Sequence, residues 1–221
     1  GQTCVAPDFV LVDRCLHSAL VTALKRSIHQ FYGDAPQKSP DYGRIINRKH
    51  LDRLTGYLAS GQIASGGQHD PDLLYFAPTI LTDVSTDAPV MQEEVFGPIL
   101  PVLEFTALDD ALALLRGRPT PLALYLFTKD RATQDRVLAE TRSGGVALND
   151  TVTHMVGQDL PFGGLGDSGL GAYHGRAGFD CFTHRRSVLR RSLAFDLKLL
   201  FPPPPVSLAT LKRVFRFLLG A

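Results

Sequence analysis

The sequence predicts an α/β fold: a mostly parallel sheet with helices on its flanks. Three observations carry that expectation. Leu16, Leu20, Leu24 and Ile28 recur every four residues, the spacing of one helical face. Leu122-Ala-Leu-Tyr-Leu-Phe127 is a nearly continuous apolar run, as expected of a strand covered on both faces. Short apolar segments also alternate with helical patterns along the chain, the arrangement of βαβ units.

In order, Gly1-Gln-Thr-Cys4 opens the chain as a loop, followed by extended Val5-Ala-Pro7 and a short buried strand, Phe9 to Val12. The first helix, with Val21 and Phe31 near its apolar face, closes near Gly33. Two prolines make 34–43 a loop. A second helix presents Leu51, Leu54 and Leu58 on one face and ends by Gly61. Ser65-Gly66-Gly67 is a turn. Leu73–Phe76 and Thr79–Val84 read as strands interrupted by Pro78, and Ile99–Leu103 as another strand. Thr106 is a candidate cap for a helix carrying Leu108, Ala111, Leu112 and Leu115. Thr128 is a candidate cap for a helix over 129–142 that stops at Gly144-Gly145, before a short buried strand, Val146–Asn149. Beyond Pro161 the chain is glycine-rich, then extended and basic from Phe182 to Leu189. Pro202 to Pro205 stiffen a linker. The last segment is an amphipathic helix with Leu208, Leu211, Phe215 and Leu218 on one face and Lys212, Arg213 and Arg216 around it. The expected division is 1–175 as the α/β catalytic domain, 176–195 as an extended oligomerisation arm, and 196–221 as linker and tail.

Composition narrows the function. At 221 residues the chain can bury a sizeable core, and 44% hydrophobic with 20% charged residues fits a globular protein. With 23 basic and 22 acidic residues, net charge +1, no global field recruits nucleic acid. Cys4, Cys15 and Cys181 form an odd, widely spaced set without CxxC. That pattern is neither a disulfide framework nor a zinc site, and it points to a reducing, cytoplasmic compartment. No metal is expected, since the histidines lack ligand spacing. The chain starts without methionine, directly in what reads as a site, so an N-terminal part is expected to be missing.

Cys4 is the candidate nucleophile, because a loop presents a thiol and a thiolate can attack a carbonyl. An ordinary loop cysteine is the competing reading. Glu93-Glu94 run into Val95-Phe96-Gly97-Pro98 just before a strand. A functional carboxylate there would accept hydrogen bonds from sugar hydroxyls while the aromatic packs on a flat ring; the alternative is a solvated pair at a strand entrance. Residues 164–169 match GxGxxG formally, but no strand precedes them and Arg-Arg-Ser-Val stands where an acid is needed, so a tight glycine turn is the better account. His174 either lines a pocket or is a structural histidine. GxSxG is absent, which argues against a serine hydrolase of that type.

Taken together, Gly1-Gln-Thr-Cys4, Glu93-Glu-Val-Phe-Gly-Pro98 and Pro161-Phe-Gly-Gly164, in this order, resemble the C-terminal half of an aldehyde dehydrogenase. Ala6-Pro-Asp-Phe9, Ser143-Gly-Gly-Val-Ala-Leu-Asn-Asp150, Gly171-Ala-Tyr-His-Gly175 and Phe182-Thr-His-Arg-Arg186 are similar to the class 3 branch, which takes medium-chain and fatty aldehydes. The resemblance runs to about residue 190.

It implies that Cys4 attacks the aldehyde to give a thiohemiacetal, that NAD or NADP takes the hydride, and that water hydrolyses the thioester. It implies Glu94 on the nicotinamide ribose, Phe96 beside the nicotinamide, and Val152, Val156 and His174 at the aldehyde entrance. It also implies a homodimer, with Phe182 to Leu189 as the arm that pairs with a second subunit's sheet. The family's general base, oxyanion-hole asparagine and coenzyme domain lie before the nucleophile, and none is in this chain. Without the base, deacylation is expected to lose about 10²–10⁴-fold, so these residues alone are not expected to be competent. The rivals are a non-catalytic dimerising partner of the same family and a Cys4–His174 thiol esterase. For the tail, a peripheral membrane contact and packing on protein are both open.

Overall fold

A computed structural model describes residues 1–192, 194, 203 and 206–219. The elements follow the chain as β1 (Val10–Asp13), α1 (His17–Tyr32), α2 (Arg48–Tyr57), β2 (Gln62–Ser65), β3 (His69–Asp70), β4 (Tyr75–Phe76), β5 (Thr79–Thr82), β6 (Ile99–Phe105), α3 (Leu108–Arg116), β7 (Ala123–Leu126), α4 (Arg131–Glu140), β8 (Gly145–Leu148), α5 (Gly175–Phe182) and α6 (Leu208–Leu219). Two compact units result, Gly1–Thr183 and His184–Ala221.

In the first unit a four-stranded sheet runs β1-β6-β5-β2. β1 and β5 lie parallel to the central β6, with Val10 opposite Val102 and Thr79 opposite Ile99, while β2 is an antiparallel edge on β5. Side chains alternate across a strand, so each strand serves two layers. Val12, Ile80 and Val102 meet Val21 with Leu20, Leu24 and Ile28 of α1 on one face. Leu81, Ile99 and Leu103 meet Leu51, Leu54 and Tyr57 of α2 on the other. The result is a helix–sheet–helix sandwich. A separate parallel pair, β7-β8, carries α3 and α4 through Leu112, Leu124 and Val137. The mostly parallel α/β architecture expected from the sequence is what forms.

Several local expectations shift. The strand over 73–76 shrinks to Tyr75–Phe76, because Leu74 adopts a left-handed φ of 50°. β5 stops at Thr82, because Asp83 turns to φ 52°. Thr106 is not the cap of α3. Ala107 holds that position, and the Asp110 carboxylate accepts its N–H at 3.1 Å. Thr128 likewise yields to Asp130, whose carboxylate accepts from Thr133 N–H at 2.9 Å. The apolar run 122–127 is not covered on both faces. Leu124 and Leu126 face the helices, Tyr125 faces the opposite way, and Phe127 is 65% exposed beyond the strand. With only two strands and both helices on one side, the other face has no helical layer.

The stretch expected to be extended over 176–195 begins with a helix, α5, whose Arg176 pairs with Asp180 one turn on. The chain is irregular only from Thr183 to Ser192. Most of the 196–205 linker, with three of its four prolines, lies outside the described residues. In the second unit Ser207 caps α6: its hydroxyl accepts from Thr210 N–H at 3.3 Å and its carbonyl from Leu211 N–H at 3.0 Å. Lys212, Arg213 and Arg216 are exposed with Leu208, Phe215 and Phe217, and Leu211 and Val214 are half-buried. Among the described residues no helix is long and apolar enough to cross a membrane.

Candidate active site

Parallel pairing explains why distant motifs meet. β1 and β6 run side by side in the same direction, so the loops that lead into them arrive at the same edge of the sheet. One is the Cys4 loop and the other is Glu93–Pro98. They come so close that a Cβ on Gly1 would fall on the Gly97 carbonyl, and a Cβ on Gly97 would lie 2.5 Å from Leu54, which is fully buried. Only glycine permits both approaches.

The candidate nucleophile, Cys4, sits in a tight turn. Ala6 N–H donates to the Thr3 carbonyl at 2.9 Å, closing Thr3–Ala6 around an exposed Cys4. On one side Gln2 anchors the turn, donating to the Arg44 carbonyl at 2.9 Å and accepting from Ile46 N–H at 3.0 Å. On the other, Val5 is buried at 1% exposure and its carbonyl accepts from the Tyr125 hydroxyl at 2.6 Å.

The opposing loop is clamped from both sides. Asp8 Oδ1 accepts from Val95 N–H at 2.8 Å. Arg53 donates to the carbonyls of Glu94 at 3.1 Å and Val95 at 2.7 Å, and to the Tyr57 hydroxyl at 3.0 Å. Tyr57 in turn donates to Glu93. The two adjacent acids thus divide: Glu93 is spent on Tyr57, and Glu94 is left exposed. Phe96 follows at φ 43°, a left-handed conformation that costs a bulky residue about 1–3 kcal/mol and persists only where its surroundings hold it. Its ring is 38% exposed.

Electrostatics follow the geometry. Burial holds the Asp8 carboxyl above the usual carboxylate range, opposed by the Val95 N–H and the positive Arg118 and Arg53. The Glu94 carboxyl is raised as well, first by the surrounding protein and then by repulsion from Asp8, with Arg53 opposing.

The third motif forms its own wall. Phe162 and Tyr173 exchange backbone hydrogen bonds, each 2.9 Å long. The Phe162 ring stacks toward His174 at 6.0 Å and meets His154 at 5.9 Å; His154 continues edge-on to Tyr125 at 5.7 Å. A continuous aromatic row thus leads from Pro161–Gly164 to the residue that anchors the Cys4 turn. Residues 164–169 form a turn, with Leu165 N–H bonded to Ser168 Oγ at 3.0 Å and a bridge between Gly166 and Gly169.

Of the expected entrance residues, Val152 is half-buried, Val156 is 73% exposed, and His174 is half-buried with its Nδ1 3.2 Å from the Leu160 carbonyl. Asp8, Arg53, Tyr125 and His154 are residues to which the sequence reading assigned no role. Asp8 enters β1 beside the motif that enters β6, a proximity that only the pairing of the two strands creates. Tyr125 was hidden inside an apolar run, and nothing in the sequence signalled Arg53 or His154.

Comparison with known proteins agrees with this arrangement. Residues 1–188 match the aldehyde dehydrogenase family. The 4,4'-diaponeurosporen-aldehyde dehydrogenase of Staphylococcus aureus is 47% identical over 218 residues, 98% of this chain and 48% of that protein. The Bos taurus "aldehyde dehydrogenase, dimeric NADP-preferring" is 50% identical over 204 residues, 91% of this chain and 85% of that sequence. The human aldehyde dehydrogenase family 3 member B1 is 49% identical over 205 residues, 92% of this chain and 44% of that protein. The structure superposes on substrate-bound Staphylococcus aureus AldH with a TM-score of 0.87 at 46% identity, covering 97% of this chain and 47% of that one. The chain spans about half the length of most of these relatives. With its cysteine turn, clamped Glu94–Phe96 loop and aromatic wall, and with the match extending over residues 1–188, the chain belongs to the aldehyde dehydrogenase family.

Proposed function

We propose that the full-length protein oxidises hydrophobic aldehydes to carboxylic acids with NAD or NADP, using Cys4 as nucleophile. The approach of Gly1 to Gly97 carries the proposal, because it brings the loop of an exposed thiol against the loop of an exposed carboxylate and aromatic ring. Those groups fit one end of a nicotinamide nucleotide: Glu94 accepts from ribose hydroxyls, and Phe96 offers a flat face. When bound, the coenzyme supplies a hydride acceptor. Cys4 Sγ adds to the aldehyde carbon, and the Cys4 backbone N–H donates to the developing oxyanion. Loss of hydride leaves a thioester on Cys4, and water releases the acid and regenerates the thiol. Val152, Val156 and His174, with Phe162, shape the aldehyde side. The bonding of His174 to Leu160 and its packing on Phe162 and Tyr173 favour this wall role over that of base in a thiol esterase.

The test is coenzyme reduction by the full-length protein with medium-chain and fatty aldehydes. Aldehyde-dependent NADH or NADPH formation matched by acid is expected, and none with either coenzyme would sink the proposal. The KM for coenzyme should fall as pH rises through the raised titration of Glu94, because the carboxylate accepts from two hydroxyls more strongly than the protonated acid does. These 221 residues alone should show no turnover, since the family's base and coenzyme domain are not among them.

The proposal includes a homodimer through 176–195, where Phe179, Phe182, Val188 and Leu189 are exposed. It also includes a peripheral contact of α6 with anionic lipid: α6 holds three basic and no acidic residues beside exposed Leu208, Phe215 and Phe217. Deleting 200–221 is expected to abolish co-sedimentation with phosphatidylserine vesicles; unchanged binding would remove the membrane contact.

A further inference from the structure

Tyr125 lies on the face of β7 turned away from the helices, since its neighbours Leu124 and Leu126 pack toward α3 and α4. Its hydroxyl reaches a segment 120 residues away, donating to the Val5 carbonyl at 2.6 Å next to Cys4. On the other side its ring meets His154 of the 150–156 loop edge-on at 5.7 Å, with the polar backbone of Val152 near the same hydroxyl. Val152 has φ 65°, a left-handed conformation that is strained for a β-branched residue and needs support from outside the loop. Within the loop, Asp150 accepts from Thr151 N–H at 2.7 Å and Thr153 Oγ1 at 2.5 Å, which fixes the residues on either side of Val152.

Behind the hydroxyl, His154 meets the Tyr125 ring edge-on and is wedged over Gly145, where a Cβ would lie 3.0 Å from its ring. Both His154 ring nitrogens are buried without a partner, so this ring acts as a packing spacer that locks the tyrosine in place. Burial pushes the Tyr125 hydroxyl above its usual titration, the Val152 backbone opposes this, and a charge on Cys4 adds to the rise.

We propose that Tyr125 is a positioning residue: one hydroxyl ties the Cys4 turn to the Val152 loop, so nucleophile and aldehyde wall keep a fixed mutual geometry. The role rests on the aldehyde-oxidising reading above. It matters because a misplacement on the scale of an ångström between nucleophile and bound carbonyl lowers rate steeply. The tie lies on the aldehyde side and makes no contact with Glu94 or Phe96, so coenzyme binding is not its target.

Tyr125→Phe in the full-length protein keeps the ring and its packing on His154 while removing only the oxygen. Amide hydrogen exchange is expected to rise together in 3–8 and 150–156, with the segments around Cys15 and Cys181 unchanged. The kcat for aldehyde should fall about tenfold with the KM for coenzyme unchanged. Exchange rising in neither segment or in only one overturns the tie. Coupled exchange with unchanged kcat overturns the catalytic consequence, as does a fall in kcat that merely follows loss of folded protein. If the wild-type protein oxidises no aldehyde, the proposed function fails on that result alone, and the exchange measurement still decides whether Tyr125 joins the two segments.

Discussion

Cys4→Ser in the full-length protein is expected to abolish aldehyde-dependent coenzyme reduction, with a loss of at least about 10³-fold in kcat. A serine hydroxyl is a far weaker nucleophile near neutrality than a thiol, which is partly ionised there and intrinsically reactive. The residues hydrogen-bonded to the turn, Gln2 and Tyr125, grip Arg44, Ile46 and Val5, and none of them is a base for a serine. Because Cys4 is exposed and its turn is closed by backbone and by neighbouring side chains, the substitution should leave thermal stability nearly unchanged. Cys15 and Cys181 are also free and exposed, so Cys15→Ser and Cys181→Ser serve as controls that keep activity. Steady-state rates of the three variants, with mass analysis for an acyl adduct on residue 4, make the measurement. A Cys4→Ser protein retaining a tenth of wild-type turnover would remove Cys4 from the mechanism.

How far the sequence revealed this site depends on the range of the interactions. α1 and α2 were legible because their apolar spacing is local, and the same leucines that set the period, Leu20, Leu24, Leu51 and Leu54, pack on the sheet. Helix starts were less legible. Thr106 and Thr128 have capping side chains, but Asp110 and Asp130 sit where carboxylates reach the first free N–H groups, and this geometry decides. β7 misled for another reason. A run of apolar residues reads as buried on both sides, yet Tyr125 uses its far face for a polar contact that lies 120 residues away in sequence. The motifs marked Cys4 and the Glu94–Phe96 loop as candidates, but the clamp of Asp8 and Arg53 comes from β1 pairing with β6. Topology of that kind has no local sequence signal.

Gly144→Ala is expected to destabilise the protein by about 3 kcal/mol, at the upper end of the cost of overpacking, and to lower Tm by roughly 6–12 °C. The new Cβ would fall on the Gly163 carbonyl oxygen, 2.7 Å from the Leu122 carbonyl oxygen and 3.0 Å from the Gly164 Cα. All three are backbone atoms, so no rotamer change relieves the clash. Nor can the backbone of residue 144 withdraw, because its N–H is bonded to the Pro121 carbonyl at 3.0 Å and Gly145 N–H to Leu122 at 2.9 Å. Gly56→Ala offers the contrast: it lies within α2 with nothing inside 4 Å of a Cβ, and it should stabilise by about 0.5–1 kcal/mol. Thermal unfolding of both variants in the full-length protein checks the pair, and a Gly144→Ala protein as stable as wild type would mean that the contact between 144 and 163–164 is looser than described. Function should suffer beyond the loss of folded protein, since displacing Gly163 moves Phe162, whose ring lies between His154 and His174. The seat of a single hydrogen atom at position 144 therefore sets both the closure of the β7-β8 layer and the shape of the aromatic wall around Phe162.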